Sequence, residues 1–207
     1  MDIFEVMGTC RAIRQLKPDP VPPELIDRLL WAATRAPSPG NSQGWDFVVV
    51  DDADARARIG AAVREAMVER VAAMPRPDRT TRLMLDGTGR LVATLDQAPV
   101  LIFVTGGVVY PPQAPKEAFT WSALYPAAQS IILAARALGL GSVFTTLHHV
   151  ADATIREVLG IPDHIRIAAT IPIGWPDGVQ FGPVNRRPVA DFVHHNHWEG
   201  DKRGSGA

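Results

Sequence analysis

Two pairs of arginines lie near the two ends of the 207-residue sequence. Arg11 and Arg14 are three residues apart, and Arg186 and Arg187 are adjacent. A guanidinium donates charge-assisted hydrogen bonds of about 1.5–3 kcal/mol to an anion, and a phosphate dianion commonly takes more than one cationic contact. Each pair alone is also typical of a solvated surface. Together the two pairs indicate a ligand that carries a phosphate.

A second candidate binding element is the loop from Pro37 to Trp45. Pro37 ends a predicted helix, and the loop then carries Ser38, Asn41 and Gln43. These hydroxyl and amide groups can donate to and accept from a ring that is rich in carbonyls and nitrogens. An ordinary polar turn between a helix and a strand rarely needs so many side-chain amides. The loop and the arginines therefore favour a nucleotide-like cofactor with a flat heterocycle, and a flavin in particular.

An aromatic stripe is predicted on the most apolar helix of the chain. Trp121, Tyr125 and Gln129 are four residues apart, which places them on one helix face. Such a stripe is usually part of a core. It can also form the wall of a pocket for a flat ligand, since ligand sites are commonly lined by aromatic residues. The sequence leaves these two interpretations balanced.

Other chemistries are disfavoured. His148 and His149 are expected on a strand, where neighbouring side chains point to opposite faces and cannot bind one metal ion together. The histidines of 194–197 have no cysteine partner, so no metal site is predicted. The single Cys10 excludes an internal disulfide. Gly87-Thr88-Gly89 lacks the third glycine and the preceding strand of a dinucleotide-binding fingerprint. No nucleophile-elbow motif is present.

Composition sets the broad class of the protein. With 21 basic and 22 acidic residues the net charge is −1, so no field of one sign is available to bind nucleic acid. No apolar run approaches the roughly 20 residues that cross a bilayer, and no secretory signal pattern begins the chain. We expect a cytoplasmic protein with one domain over residues 1–198 and a flexible tail over residues 199–207.

Hydrophobic periodicity predicts helices and strands in mixed order, which favours an α+β domain over a doubly wound sheet. Helices are expected from Asp2 and from Pro23, the second ending at Pro37, and over 53–73, 80–97, 119–138 and 152–159. Strands are expected over 46–50, 99–104, 143–147 and 166–171. The segment 106–116, which holds three prolines and two glycines, is expected to be a loop.

Taken together, these motifs resemble those of the nitroreductase family. The usual R-S-x-R signature is matched by Arg11-Ala12-Ile13-Arg14, and the A-P-S/T-x-x-N-x-Q-P-W signature by 36–45, with glycine in place of proline. A G-L-G segment occurs at 139–141, and the closing R-x-P at 186–188. The resemblance covers nearly the whole chain, and the motifs are specific as a set rather than singly.

The resemblance implies a three-layer α-β-α fold with a mostly antiparallel central sheet, an intertwined homodimer, and FMN as the cofactor. Arg11 and Arg186 would hold the phosphate, and part of the 37–45 loop would reach the flavin of the other subunit. The implied cofactor-binding set is Arg11, Ala12, Arg14, Pro37, Ser38, Asn41, Gln43, Thr145, Thr146, Leu147, Arg186 and Arg187. The implied substrate pocket is Trp121, Tyr125 and His148.

The activity implied by the resemblance is hydride transfer from NADH or NADPH to a small acceptor such as a nitroaromatic, a quinone or an enone. One shared site implies ping-pong kinetics, and no side chain is assigned as a catalytic acid or base. Alternatives are another flavin reaction (reductive dehalogenation, flavin fragmentation or use of a deazaflavin donor), a non-turnover flavin-binding or sensing protein and, as a weaker rival, a histidine-based metal-binding protein. Two departures matter: Ala12 lacks the usual hydroxyl, and residues 145–148 replace a glycine-rich segment.

Overall fold

A computed structural model describes residues 1–198 of the chain. In this range the helices are α1 (Ile3–Thr9), α2 (Pro23–Ala33), α3 (Ala53–Ala73), α4 (Arg79–Ala93), α5 (Glu117–Ala137) and α6 (Asp152–Leu159). The strands are β1 (Trp45–Val50), β2 (Val100–Gly106), β3 (Gly141–Ser142) and β4 (Arg166–Gly174). The predicted α+β class is confirmed.

The four strands form one sheet in the order β1-β2-β4-β3, and every neighbouring pair is antiparallel. Trp45 lies opposite Gly106, which lies opposite Arg166, so these residues mark one end of the sheet. Gly141 lies opposite Gly174 at the other end.

Helices cover both faces of the sheet, which gives the predicted three layers. Alternate residues of β2 enter the two cores: Ile102 joins the core under α2 and α5, whereas Phe103 joins the core under α3, α4 and α6. Both side chains are fully buried. Because each face of the sheet is covered, β2 is a continuous apolar run rather than an alternating one.

Local signals explain several boundaries. The carboxylate of Asp2 accepts a hydrogen bond of 2.8 Å from the backbone N–H of Glu5, which caps α1 as predicted. Asp52 caps α3 in the same way through Ala55, and α3 matches the predicted 53–73. The proline-rich segment before α2 supplies Pro23 as its first residue, where a missing N–H costs nothing.

Some predicted elements were wrong. The strand expected over 143–147 is shorter and earlier, at Gly141–Ser142, and Leu147–Val150 forms a 3₁₀ turn. His148 and His149 are therefore not on opposite faces of a strand; their rings lie 4.2 Å apart. Helix α2 ends at Ala33, short of the predicted Pro37. Asp152 is the first residue of α6 rather than its cap, and its carboxylate binds the side chain of Arg156.

In the described range, none of the helices combines the length and the apolar character that a bilayer crossing demands. The single domain over 1–198 stays a prediction. The tail expected over 199–207 lies outside the described residues.

Candidate cofactor site

The Arg11–Lys17 segment is an extended strand-like stretch at the β3 edge of the molecule. The N–H of Ile13 donates to the carbonyl of Ser142 at 2.9 Å, and the N–H of Lys17 donates to that of Trp175 at 2.8 Å. Ile13 is fully buried. Because side chains alternate along an extended chain, the next residue, Arg14, points away from the core that takes Ile13. It is half-buried rather than free in solvent.

Arg14 opens onto a cavity of about 290 Å³ between the sheet edge and the α3–α4 pair. The 145–147 segment, predicted from sequence to contact the flavin, lines the same cavity. The structure thus brings together two predicted parts of the site that are some 130 residues apart in sequence. The complete lining is Arg14, Met67, Thr88, Leu91, Val143, Phe144, Thr145, Thr146 and Leu147.

The charge at this cavity is uncompensated. Burial lowers the pKa of Arg14 from its ordinary value, and the positive charge of the neighbouring Arg11 lowers it further. Within residues 1–198 neither guanidinium has a hydrogen bond or an ion pair. Two adjacent cations without a carboxylate, one of them partly desolvated, form a site that an anion such as a phosphate would stabilise. The residues present therefore fit a phosphate-bearing cofactor.

The 145–147 segment is held against β4 by paired hydrogen bonds. Thr145 and Thr170 exchange both backbone N–H···O bonds, at 3.0 and 3.2 Å, and the Thr145 hydroxyl donates to the Thr170 carbonyl at 2.8 Å. These bonds fix the backbone of the segment from one side. The exposed side chain of Thr146 lies at the cavity, while Leu147 is buried beneath it.

His148 lies in the core rather than at the cavity. It is 1% exposed, its Nδ1 is 3.3 Å from the Thr170 hydroxyl, and its Nε2 has no partner among the described residues. Burial, and then the charge of His149, lowers its pKa to about 4, so the imidazole is neutral at pH 7. The structure does not bring His148 to the surface that Trp121 and Tyr125 share, and its predicted substrate role gains no support.

The Pro37–Trp45 loop is a tight, left-handed turn. Gly40, Asn41 and Gln43 have φ values of 59°, 50° and 48°. The Ser38 hydroxyl accepts a hydrogen bond of 3.0 Å from the backbone N–H of Gln43, which closes the turn. Gly40 is needed at its position because any Cβ there would run into the ring of Tyr110. The side chains of Asn41 and Gln43 are exposed and available for a ligand.

One protomer does not complete the predicted site. The strands β2 and β4 lie between β1 and Thr145, which pairs with the far side of β4, so Thr145 is three strand spacings, or about 14 Å, across the sheet from Trp45. Thr170 is also four residues along β4 from Arg166, about 13 Å further. The loop with Ser38, predicted to contact the flavin, is therefore far from the cavity of its own chain.

The second arginine pair lies on the C-terminal segment that crosses the end of α1. The backbone N–H of Val184 donates to the carbonyl of Gly8 at 3.0 Å, which brings this segment to the same end of the molecule as Arg11. Arg186 is exposed, and within residues 1–198 its one hydrogen bond joins it to its neighbour Asn185. Arg187 is exposed too, and its guanidinium lies 4.3 Å from the centre of the Phe192 ring.

An aromatic row runs beside the cavity. Trp121 and Tyr125 stack with ring centres 5.8 Å apart and an interplanar angle of 18°, and Tyr125 is 6.0 Å from Phe144, a residue of the cavity lining. Tyr125 is 46% exposed and Phe144 39%. The stripe predicted on α5 is therefore not a core element along its whole length; it leaves an apolar platform at the surface.

The fold is that of an α+β protein, and the residues of this cavity fit a phosphate-bearing cofactor. Comparison with known proteins identifies the group: residues 9–175 match the Nitroreductase family, and the chain belongs to that family. The assignment to this group of oxidoreductases and the predicted nitroreductase-like fold are confirmed.

Individual relatives show the breadth of the group. The chain is 31% identical over 197 residues to Iodotyrosine deiodinase 1 of Rattus norvegicus, covering 93% of this chain and 68% of the relative. It is 32% identical over 195 residues to a Thermus thermophilus protein named NADH dehydrogenase, covering 88% and 90%.

A solved structure supports the cofactor. A Desulfovibrio desulfuricans protein in complex with FMN is 26% identical, with a TM-score of 0.68 over 93% of this chain and 95% of that one. With the family established, FMN is the cofactor of this protein, as predicted.

Sequence reasoning missed the contribution of α3 and α4. Met67, Thr88 and Leu91 line the cavity, and none was predicted to be near it. One signal was present: Gly87 and Gly89 interrupt a helical pattern, and glycine inside a helix often marks a close approach by another group. The Gly87-Thr88-Gly89 motif does not match a dinucleotide-binding fingerprint, but its glycines leave room beside α4.

Proposed function

We propose that this protein transfers reducing equivalents from NADH or NADPH to a small organic acceptor, such as a nitroaromatic, a quinone or an enone, with ping-pong kinetics. The observation that carries the proposal is Arg14, which lines the same cavity as the 145–147 segment and has no hydrogen bond or ion pair within residues 1–198. Arg11 is close enough for its charge to lower the pKa of Arg14. Bound FMN supplies the redox chemistry of such a reaction, and the protein supplies binding and orientation.

The residues that would hold FMN divide by chemistry. Arg11, Arg14 and Arg186 are the cationic groups that would bind its phosphate. The guanidinium of Arg187 instead packs on the ring of Phe192. The 145–147 segment would lie along the ring, presenting backbone groups whose position is fixed by Thr170. Ala12 adds no side-chain donor at the phosphate, so a backbone N–H or a water would replace the hydroxyl common in the family.

A second copy of the chain would complete the site. The loop with Ser38, Asn41 and Gln43 is too far from the cavity of its own protomer, whereas a homodimer can place it at the cavity of the partner. An apolar surface is available for such an interface, because Met1, Ile3 and Trp31 line one surface cavity at α1 and α2 and are 62%, 52% and 65% exposed. Solvent exposure of several large apolar side chains on one face is typical of an oligomer contact.

The aromatic row would receive the acceptor. Trp121, Tyr125 and Phe144 offer flat apolar faces next to the cavity, with no ionised side chain among them. Such a platform favours planar aromatic compounds, and stacking contacts are worth about 0.5–1.5 kcal/mol each. Because one relative is a deiodinase, a halogenated phenol belongs in the acceptor panel with nitroaromatics and quinones.

Charge reversal tests the phosphate assignment. Arg11→Glu and Arg186→Glu should each abolish FMN retention, because a carboxylate would then face the phosphate. Lys17→Glu is the matched control: Lys17 is an exposed cation of the same extended segment, and this variant should bind FMN as the wild type does. Full FMN occupancy in both arginine variants, measured by absorbance after gel filtration, would contradict the assignment.

A further inference from the structure

A glycine is buried in the middle of α4, where a helix gains nothing from it. Gly87 is the ninth of the 15 residues of Arg79–Ala93 and is buried, and Gly89 follows two positions later. Glycine in a helix interior is less stable than alanine because it loses more backbone freedom on folding. Gly87 therefore needs a reason other than the stability of the helix.

The surroundings of Gly87 give that reason. A Cβ built on this residue would lie 3.3 Å from Cδ of Arg14, 3.6 Å from its NH1 nitrogen and 4.0 Å from its Nε. The 3.3 Å distance is shorter than relaxed packing between a Cβ and a neighbouring atom allows. Among the described residues, the three atoms nearest to that point all belong to Arg14. At Gly89 the nearest atom is a methyl carbon of Val71 at 3.7 Å, an ordinary contact. The space beside Gly87 is thus occupied by the side chain of Arg14.

This packing holds the arginine without using its donors. Arg14 makes no hydrogen bond or ion pair within residues 1–198, so the helix surface at Gly87, rather than a polar partner, fixes its side chain. All five guanidinium N–H groups stay available for a ligand. A side chain that is placed before binding loses less conformational freedom when the ligand arrives.

We propose that Gly87 is a positioning residue for FMN binding: its missing side chain lets Arg14 lie against α4 and face the cavity with all its donors free. This inference rests on the proposed function, in which Arg14 contacts the phosphate end of FMN. It adds α4 to the cofactor site and assigns a role to a glycine that does not itself touch the ligand.

The test measures the Kd for FMN of the refolded or FMN-stripped dimer by quenching of flavin fluorescence. Arg14→Ala should weaken binding by about 10- to 150-fold, the loss of one charge-assisted contact. Gly87→Leu, which fills the gap, should approach the same loss, and Gly87→Ala should weaken binding by about 3- to 10-fold, since hydrogen bonds weaken with small displacements. Gly89→Ala and Gly89→Leu are the matched controls, and they should bind FMN as the wild type does.

Two further readouts separate positioning from a general loss of structure. The Tm of FMN-free Gly87→Ala should equal or exceed that of the wild type, because alanine favours the helix, while FMN affinity falls. In the Arg14→Ala background, Gly87→Ala should cause no further loss of affinity, as expected when one residue acts through the other.

The outcomes distinguish the two claims. If Arg14→Ala weakens FMN binding but Gly87→Leu and Gly87→Ala do not, or if the Gly87 effect persists unchanged without Arg14, the inference about Gly87 is wrong and the proposed function stands. If Arg14→Ala binds FMN with wild-type affinity, the assignment of Arg14 to the cofactor is wrong, and the inference fails with it.

Discussion

The buried imidazole of His148 predicts a loss of stability in mild acid. The folded protein holds its pKa near 4, through burial and then through the charges of His149 and Arg156, with Asp152 acting in the opposite sense. An unfolded histidine has a pKa of about 6.5. The unfolded chain therefore binds more protons between these two values, and the free energy of unfolding falls as the pH drops from about 6.5 to about 4.

The size of the effect follows from the two pKa values. Integration of the proton-binding difference gives a loss of about 2 kcal/mol at pH 5 relative to pH 7.5, and about 3 kcal/mol once the pH is well below 4. His148→Asn removes the titrating group while keeping a polar side chain near the Thr170 hydroxyl. The variant is expected to be less stable than the wild type at pH 7.5, but to lose about 2 kcal/mol less than the wild type does on going to pH 5.

The assay is urea unfolding of both proteins at pH 7.5 and pH 5, followed by circular dichroism. His149→Asn is the control, because it changes the exposed neighbour and keeps the buried imidazole, so most of the pH dependence should remain. An unchanged pH dependence in His148→Asn would refute the reasoning, since the acid sensitivity would then come from other groups.

Two more predictions concern the loop and the aromatic row. Gly40→Ala should destabilise the protein by about 1–3 kcal/mol in urea unfolding, because a Cβ at a φ of 59° would meet the Tyr110 ring. Adding Tyr110→Ala should restore part of this loss, and wild-type stability of Gly40→Ala would contradict this account. Tyr125→Ala should raise KM for an aromatic acceptor about 2- to 12-fold in steady-state assays, because a stacking ring is lost. Tyr125→Phe keeps the ring and should keep KM near that of the wild type, and equal KM values in the two variants would argue against stacking.

Local sequence signals predicted most of the secondary structure because they act over a few residues. The cap at Asp52 and the apolar run of β2 each decide an element without help from the rest of the chain. The strand expected over 143–147 failed for the opposite reason. Its β-branched residues favour a strand, but in the described range the ladder with β4 covers only Gly141 and Ser142. Thr145 adds one isolated bridge to Thr170, and the chain then turns at Leu147. Pairing of this kind depends on distant residues.

The candidate site shows the same division. Arg14 and the 145–147 segment were predicted from sequence motifs, and the structure places them on one cavity. The burial of His148 could not be predicted, because the adjacent His149 is exposed and the local pattern is alike for both. The role of α4 could not be predicted either, since the contact between Gly87 and Arg14 joins residues 73 positions apart.

The absorbance spectrum of the purified protein, recorded anaerobically before and after addition of NADPH or NADH, tests the central claim most directly. We expect flavin bands that bleach with at least one donor and recover when a nitroaromatic or a quinone is added. A protein that stays colourless and cannot be loaded with FMN would contradict the account, and flavin bands that neither donor bleaches would contradict the proposed use of NADH or NADPH.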